Sequence, residues 1–170
     1  MIAEHKNTET INETYCEVAE TNVKKTRRDI LLFIEDRIKQ MPEAYIGDSP
    51  NCPLTHEFTD GIYIREMFLP TGTYISGEIH KFEHFVELLE GEIIVLTEDG
   101  YKHLKAPLRF KSKPGVKRVA YVVSDCKWAT IHQNRDNITD LKKIKEHHIA
   151  KDFIEYDNSV LNNESNLHLQ

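Results

Sequence analysis

Cysteine is scarce in this chain. Its 170 residues include three, Cys16, Cys52 and Cys126, widely spaced and with no CxxC pair. That argues against a disulfide framework, fits a reducing compartment, and leaves the thiols as small apolar fillers or surface groups. Long apolar runs are missing too: none approaches the ~20 residues of a membrane span. The opening residues, MIAEHKNTET, lack the apolar core of a secretory signal. Basic residues are outnumbered, with 22 Lys and Arg against 28 Asp and Glu and a formal net charge of −6. A phosphate backbone or an anionic bilayer wants a basic face, so neither nucleic acid nor membrane is an expected partner. No internal repeat is present. The expected location is cytoplasmic.

What remains is an ordinary globular mixture, 39% hydrophobic and 29% charged, long enough for one domain with a real core. Residues 1–46 read as a polar extension, loosely ordered over 1–21, with an amphipathic helix at about 24–40. In KKTRRDILLFIEDRIKQ, Ile30, Ile34 and Ile38 recur at helical spacing, Leu31 and Phe33 widen the face, and Pro42 follows as a stop. Residues 47–53 read as a linker that opens the next segment.

Over 47–135 the pattern is β. Short apolar stretches alternate with turn signals about every ten residues: Thr71-Gly72, Glu90-Gly91, Asp99-Gly100, Pro114-Gly115 and Ser124-Asp125. This punctuation predicts an antiparallel sandwich or barrel and leaves no room for the crossover helices of a doubly wound fold. A short helix is expected within 136–150, with Thr139 as its N-cap, and the Asn-rich tail 151–170 reads as disordered.

The segment GTYISGEIHKFEHFVELLEGEIIV carries the chemistry. His80 and His84 are four apart, which on a helix would suggest zinc. In a strand, even offsets share a face, so Glu78, His80 and His84 can converge on one pocket, as a divalent metal requires. Gly72, Glu78, His80, His84 and Gly91 are spaced as in the first motif of the cupins, which this chain resembles over about residues 54–133. The usual ligand types are permuted: Glu stands where a His is usual, and His where a Glu is usual. The chain is also similar to small cupin-like proteins of tailed bacteriophages.

The resemblance implies an all-β fold, a double-stranded β-helix (jelly roll) barrel, here with an N-terminal amphipathic helix and a short C-terminal helix. It also implies a divalent first-row metal (Fe, Mn, Ni or Zn), and a homodimer or higher homo-oligomer. In the second motif, KPGVKR places Arg118 where the last ligand histidine is usual. Arginine stays protonated and cannot ligate a cation. If RVAYVVSDCKWATIH is a hairpin turning at Ser124–Cys126, His132 lies opposite Arg118 and enters the pocket as a replacement.

Candidate metal ligands are therefore Glu78, His80, His84 and His132, and the alternative is a polar cluster held by hydrogen bonds alone. Arg118, Tyr63, Arg65, Tyr121 and Trp128 are candidates for binding a small-molecule ligand; a core role is the alternative for the aromatics. Glu83, Glu87, His103, His147 and His148 read as surface residues, and Pro107–Gly115 as a solvated basic loop. Two functions stay open. One is a metal-dependent enzyme acting on a small molecule. The other is a non-catalytic module with virion proteins or a host factor as partner, in the virion or the host cytoplasm.

Overall fold

The computed structural model describes residues 8–44, 47–50 and 52–167. The expected all-β body with terminal helices is present. A long helix, α1 (Thr8–Lys39), precedes strands β1 (Thr55–Thr59), β2 (Gly61–Leu69), β3 (Tyr74–Ser76), β4 (Ile79–His80), β5 (His84–Thr97), β6 (Gly100–Lys105), β7 (Leu108–Ser112) and β8 (Val119–Asn134). Helix α2 (Leu141–His148), strand β9 (Ile149–Ala150) and helix α3 (Phe153–Leu167) follow.

Two long antiparallel strands, β5 and β8, form the spine. They pair with each other along nearly their whole lengths. β2 and β3 add to β8, β6 and β7 add to β5, and β1 extends β2. This corrects two expected turns. Glu90-Gly91 lies inside β5 and Ser124-Asp125 inside β8, where the pairing shifts register in successive bulges. A bulge bends a strand and raises its twist without ending it. Gly91 holds a φ of +85°, and a Cβ there would lie 2.1 Å from the Asp125 carbonyl oxygen. The strands cross too closely for any side chain at that point, so the glycine marks a close approach rather than a turn.

Leu69, Val86, Leu88, Ile93, Val95, Val122, Cys126 and Trp128 fill the interior. Cys126 and Cys52 are free thiols, the first buried and the second half-buried, while the side chain of Cys16 lies outside the described residues.

The terminal segments depart from expectation. α1 starts at Thr8, well inside the stretch expected to be loose; residues 1–7 lie outside the described residues. Its docked stripe centres on Leu31, fully buried, with Ile34 and Ile38 half-buried, while Ile30 and Phe33 face outward. Below Leu31, Lys117 is buried and donates to the Glu35 carboxylate and the Gly77 carbonyl, both at 3.1 Å. Burial alone would raise the Glu35 pKa, but the Lys117 contact outweighs it and holds the carboxyl below its usual range.

The tail is helical rather than disordered: α3 runs from Phe153 to Leu167, and residues 168–170 lie outside the described residues. Of its apolar residues, Phe153 and Tyr156 dock while Ile154 and Leu161 stay exposed. Phe153 packs with Ile79 and Ala150, and the Tyr156 ring covers Gly115. Arg28 of α1 lies 4.2 Å over the Phe153 ring and pairs with Glu98 and Asp157. A composition too polar to fold alone is thus ordered by a few well-placed contacts. α2 begins after Asp140, whose side chain accepts from the Lys143 amide at 2.9 Å, so the N-cap is Asp140 rather than Thr139.

Candidate metal centre and adjoining cavity

Three strands converge at one end of the barrel. β4 ends on His80, β5 begins on His84, and β8 passes beneath with His132. Tyr63 on β2 is the register partner of His132. Phe85, next to His84, is the partner of Ile131, next to His132. Strand alternation then turns His84 and His132 inward and their neighbours outward. The hairpin expected at Ser124–Cys126 does not form, because β8 runs unbroken from Val119 to Asn134 and takes its partners from β2, β3 and β5. Arg118 therefore precedes the strand that carries His132 instead of facing it.

The three imidazoles are 4–6% exposed. Their ring centroids are 4.2 Å apart for His80 and His84, 4.6 Å for His84 and His132, and 5.0 Å for His80 and His132. One nitrogen from each lies within 4.8 Å of the others. Burial, followed by the charges of His84, His132, Arg65 and Arg118, holds His80 well below the usual imidazole range. Burial and the Arg118 and Arg65 guanidiniums outweigh the Phe82 carbonyl and bring His84 down to about 4. Burial, then His84, His148 and Arg65, take His132 to about 2. All three are neutral at pH 7 and keep a lone pair free, which is the state a metal ligand needs. His84 Nδ1 lies 3.1 Å from the Phe82 carbonyl oxygen. Donation there turns Nε2 into the acceptor, as an oriented ligand histidine requires. His80 Nδ1 is buried with no hydrogen-bond partner among the described residues. Three neutral, buried, converging imidazoles with an unfilled nitrogen fit a divalent metal of the zinc, iron or nickel type.

Glu78 stands apart from this group. It falls in the irregular stretch between β3 and β4, where strand alternation does not operate, and its carboxylate pairs with Lys145 at 2.5 Å and Arg65 at 3.4 Å. Of the four candidate ligands, the fold thus gathers the three histidines and leaves the glutamate at the rim.

Beside the histidines is a cavity lined by Met67, Leu69, Val95 and Trp128 at its apolar end and by Arg65, Arg118 and His80 at its polar end. Arg118 Nη2 donates to Ser112 Oγ at 2.8 Å, and among the described residues the guanidinium has no acidic partner. Burial lowers its pKa to about 10, leaving it charged at neutral pH. Arg65 Nε is buried and has no hydrogen-bond partner among the described residues. Tyr63 is buried against His132 at 5.8 Å, with its hydroxyl 2.8 Å from His56 Nδ1. Burial pushes its pKa up to about 12. Tyr121 faces outward against Tyr74, because Val122 takes the inward position on β8. Trp128 belongs to the core and also lines the cavity.

One neighbour of the site was not legible as such. His148, expected at the surface, is 5% exposed, and its ring is 5.0 Å from that of His132. Its spacing from Ile144, the other buried residue of α2, was the available signal. His103, Glu83 and Glu87 do pair with charges on the outside of the sheet.

No protein-family model and no curated protein matches the chain. Among solved structures it is similar to an RmlC-like cupin family protein with a double-stranded β-helix fold from Methanocaldococcus jannaschii. That match has 14% identity, covers 59% of this chain and 92% of that one, and has a TM-score of 0.43. It is likewise similar to a cupin domain from Bordetella pertussis, at 14% identity, 49% and 93% coverage and a TM-score of 0.40. A third similar structure is a conserved protein with a double-stranded β-helix domain from Klebsiella pneumoniae, at 16% identity, 55% and 87% coverage and a TM-score of 0.45.

Proposed function

We propose that this protein binds a divalent first-row metal through His80, His84 and His132 and acts as a metal-dependent enzyme on a small anionic molecule. The observation that carries the reading is the buried trio of neutral imidazoles at the edge of a cavity that also holds an arginine with no acidic partner among the described residues. A bound ion would supply Lewis acidity beside the cavity that His80 lines. The chain's own groups supply the rest. Arg118, with Arg65 behind it, offers guanidinium donors to a carboxylate or phosphate. Leu69, Val95 and Trp128 receive the apolar part of the ligand and exclude water. Ser112 orients Arg118 from β7, the strand paired with the start of β5.

Elemental analysis of the purified protein after incubation with Fe, Mn, Ni or Zn tests the reading. About one equivalent per chain is expected, falling to background in His84→Ala. No uptake of any of these ions by the wild type would overturn it.

A second feature supports self-association. Val23, Ile30 and Phe33 share the outward face of α1, and Phe33 is 65% exposed. We propose that a second copy covers this face.

A further inference from the structure

The cavity beside the three histidines is small and has two unlike ends. Its volume is about 70 Å³, roughly half of the ~150 Å³ that accommodates a benzene ring. That leaves room for a hydrocarbon tail of about two to four carbons. Among the described residues, its charged or polar lining side chains are Arg65, Glu78, His80 and Arg118. The rest of the wall is Gly77 and apolar side chains, Leu69, Ile75, Val95 and Trp128 among them. A hydroxyl, an amine or a second acid group on the tail would lose its hydration there and gain no partner.

The charges select further. Arg118 is half-buried, and among the described residues its side chain makes one hydrogen bond, to the neutral Ser112 Oγ. Arg65 is shared with Glu78 at 3.4 Å. Two guanidiniums against one carboxylate leave a single positive charge at this end of the cavity. Lys145, the other partner of Glu78, is mostly exposed, and solvent screens its charge. One negative charge on a ligand balances the excess. A phosphate monoester or a dicarboxylate brings about two, and the second would face Glu78. A carboxylate also matches the planar donor fork of a guanidinium.

We propose that the cavity takes a short-chain aliphatic monocarboxylate, in the size range of propionate to valerate, with its carboxylate on Arg118 and its tail against Trp128. The assignment rests on the anionic-ligand reading of the same cavity and narrows it to one chemical class. It also orients the ligand. His80 belongs to the polar end, so the carboxyl end rather than the tail neighbours the three imidazoles. The chemistry of the site is then directed at the carboxyl group or the carbon beside it.

Trp128 is the chain's only tryptophan and lines the cavity, so its fluorescence reports occupancy. The full chain is freed of metal with a chelator, so that no ion answers for the guanidinium. It is then titrated with butyrate, butyramide, propyl phosphate, succinate and benzoate. Butyrate is expected to shift the emission saturably. Butyramide, of the same size without the charge, should bind about 10–100-fold more weakly, and Arg118→Gln should weaken butyrate by a similar factor. The butyramide comparison needs no variant, should the substitution fail to fold. Propyl phosphate and succinate, with their second charge, and benzoate, with its larger tail, should each bind at least about tenfold more weakly than butyrate. Any of these four compounds binding as tightly as butyrate, or unchanged butyrate binding in Arg118→Gln, would overturn the monocarboxylate assignment. Tighter binding of propyl phosphate or succinate would do so while leaving the anionic-ligand reading standing. No saturable response to any of the anions would overturn both.

Discussion

Moderate acid should destabilise the metal-free protein strongly, and the loss should trace to the buried histidines. His84 stays neutral in the folded chain down to about pH 4, because burial and the Arg118 and Arg65 charges disfavour its protonation. Once unfolded it titrates near 6.5. Between those values the unfolded chain binds a proton that the folded chain does not, so stability falls as the pH drops below about 6.5. At pH 5 the difference is worth about 2 kcal/mol for this one group. His132 and His148 are depressed as far or further. Together they could remove several kcal/mol as an upper bound, a large share of the ~5–15 kcal/mol by which a domain is stable. Urea unfolding of chelator-treated protein at pH 7.5 and pH 5 measures the loss. The same pair of measurements on His84→Leu, which has no group to titrate, should show a loss smaller by about 2 kcal/mol. Equal pH dependence in wild type and variant, or a wild type more stable at pH 5, would refute the reasoning.

Other outcomes follow from particular contacts. Gly91→Ala should cost more than about 2 kcal/mol in urea unfolding, because it combines a φ of +85° with a Cβ driven into the Asp125 carbonyl. Leu31→Ala should cost about 2–5 kcal/mol and detach α1, read as faster proteolysis of the helix. Glu78→Gln should leave metal affinity within about twofold, since its carboxylate is engaged by Lys145 and Arg65. Phe33→Glu should shift the protein toward monomer in light scattering by placing a charge on the exposed face of α1.

The fold class and much of the site were legible because both rest on short-range rules. The even spacing of His80 and His84 suggested one pocket, and the two rings do meet, although the bend between β4 and β5 rather than alternation along one strand brings them together. The absence of helix-length gaps between strands pointed to an antiparallel barrel. What misled was local punctuation read without its tertiary setting. Glu90-Gly91 and Ser124-Asp125 look like turns, but at both places a long strand bends against its neighbour. His132 reaches the site through a different route from the expected hairpin, because its position depends on pairing with β2 and β5, far away in sequence. Glu78 fits the ligand spacing, yet a break in the strand between Ser76 and Ile79 releases it from the shared face. His148 and α3 were hidden for the same reason. Their segment is polar and short, and only docking onto Ile79, Gly115 and Arg28 gives it a buried side.

The most direct test of the central claim is anomalous diffraction from crystals grown with Zn(II) or Mn(II), recorded on both sides of the metal edge. The account predicts one strong anomalous peak per chain, bounded by the imidazole nitrogens of His80, His84 and His132. A metal-bound crystal with no peak among these three rings, or with its peak on the surface carboxylates instead, would contradict it.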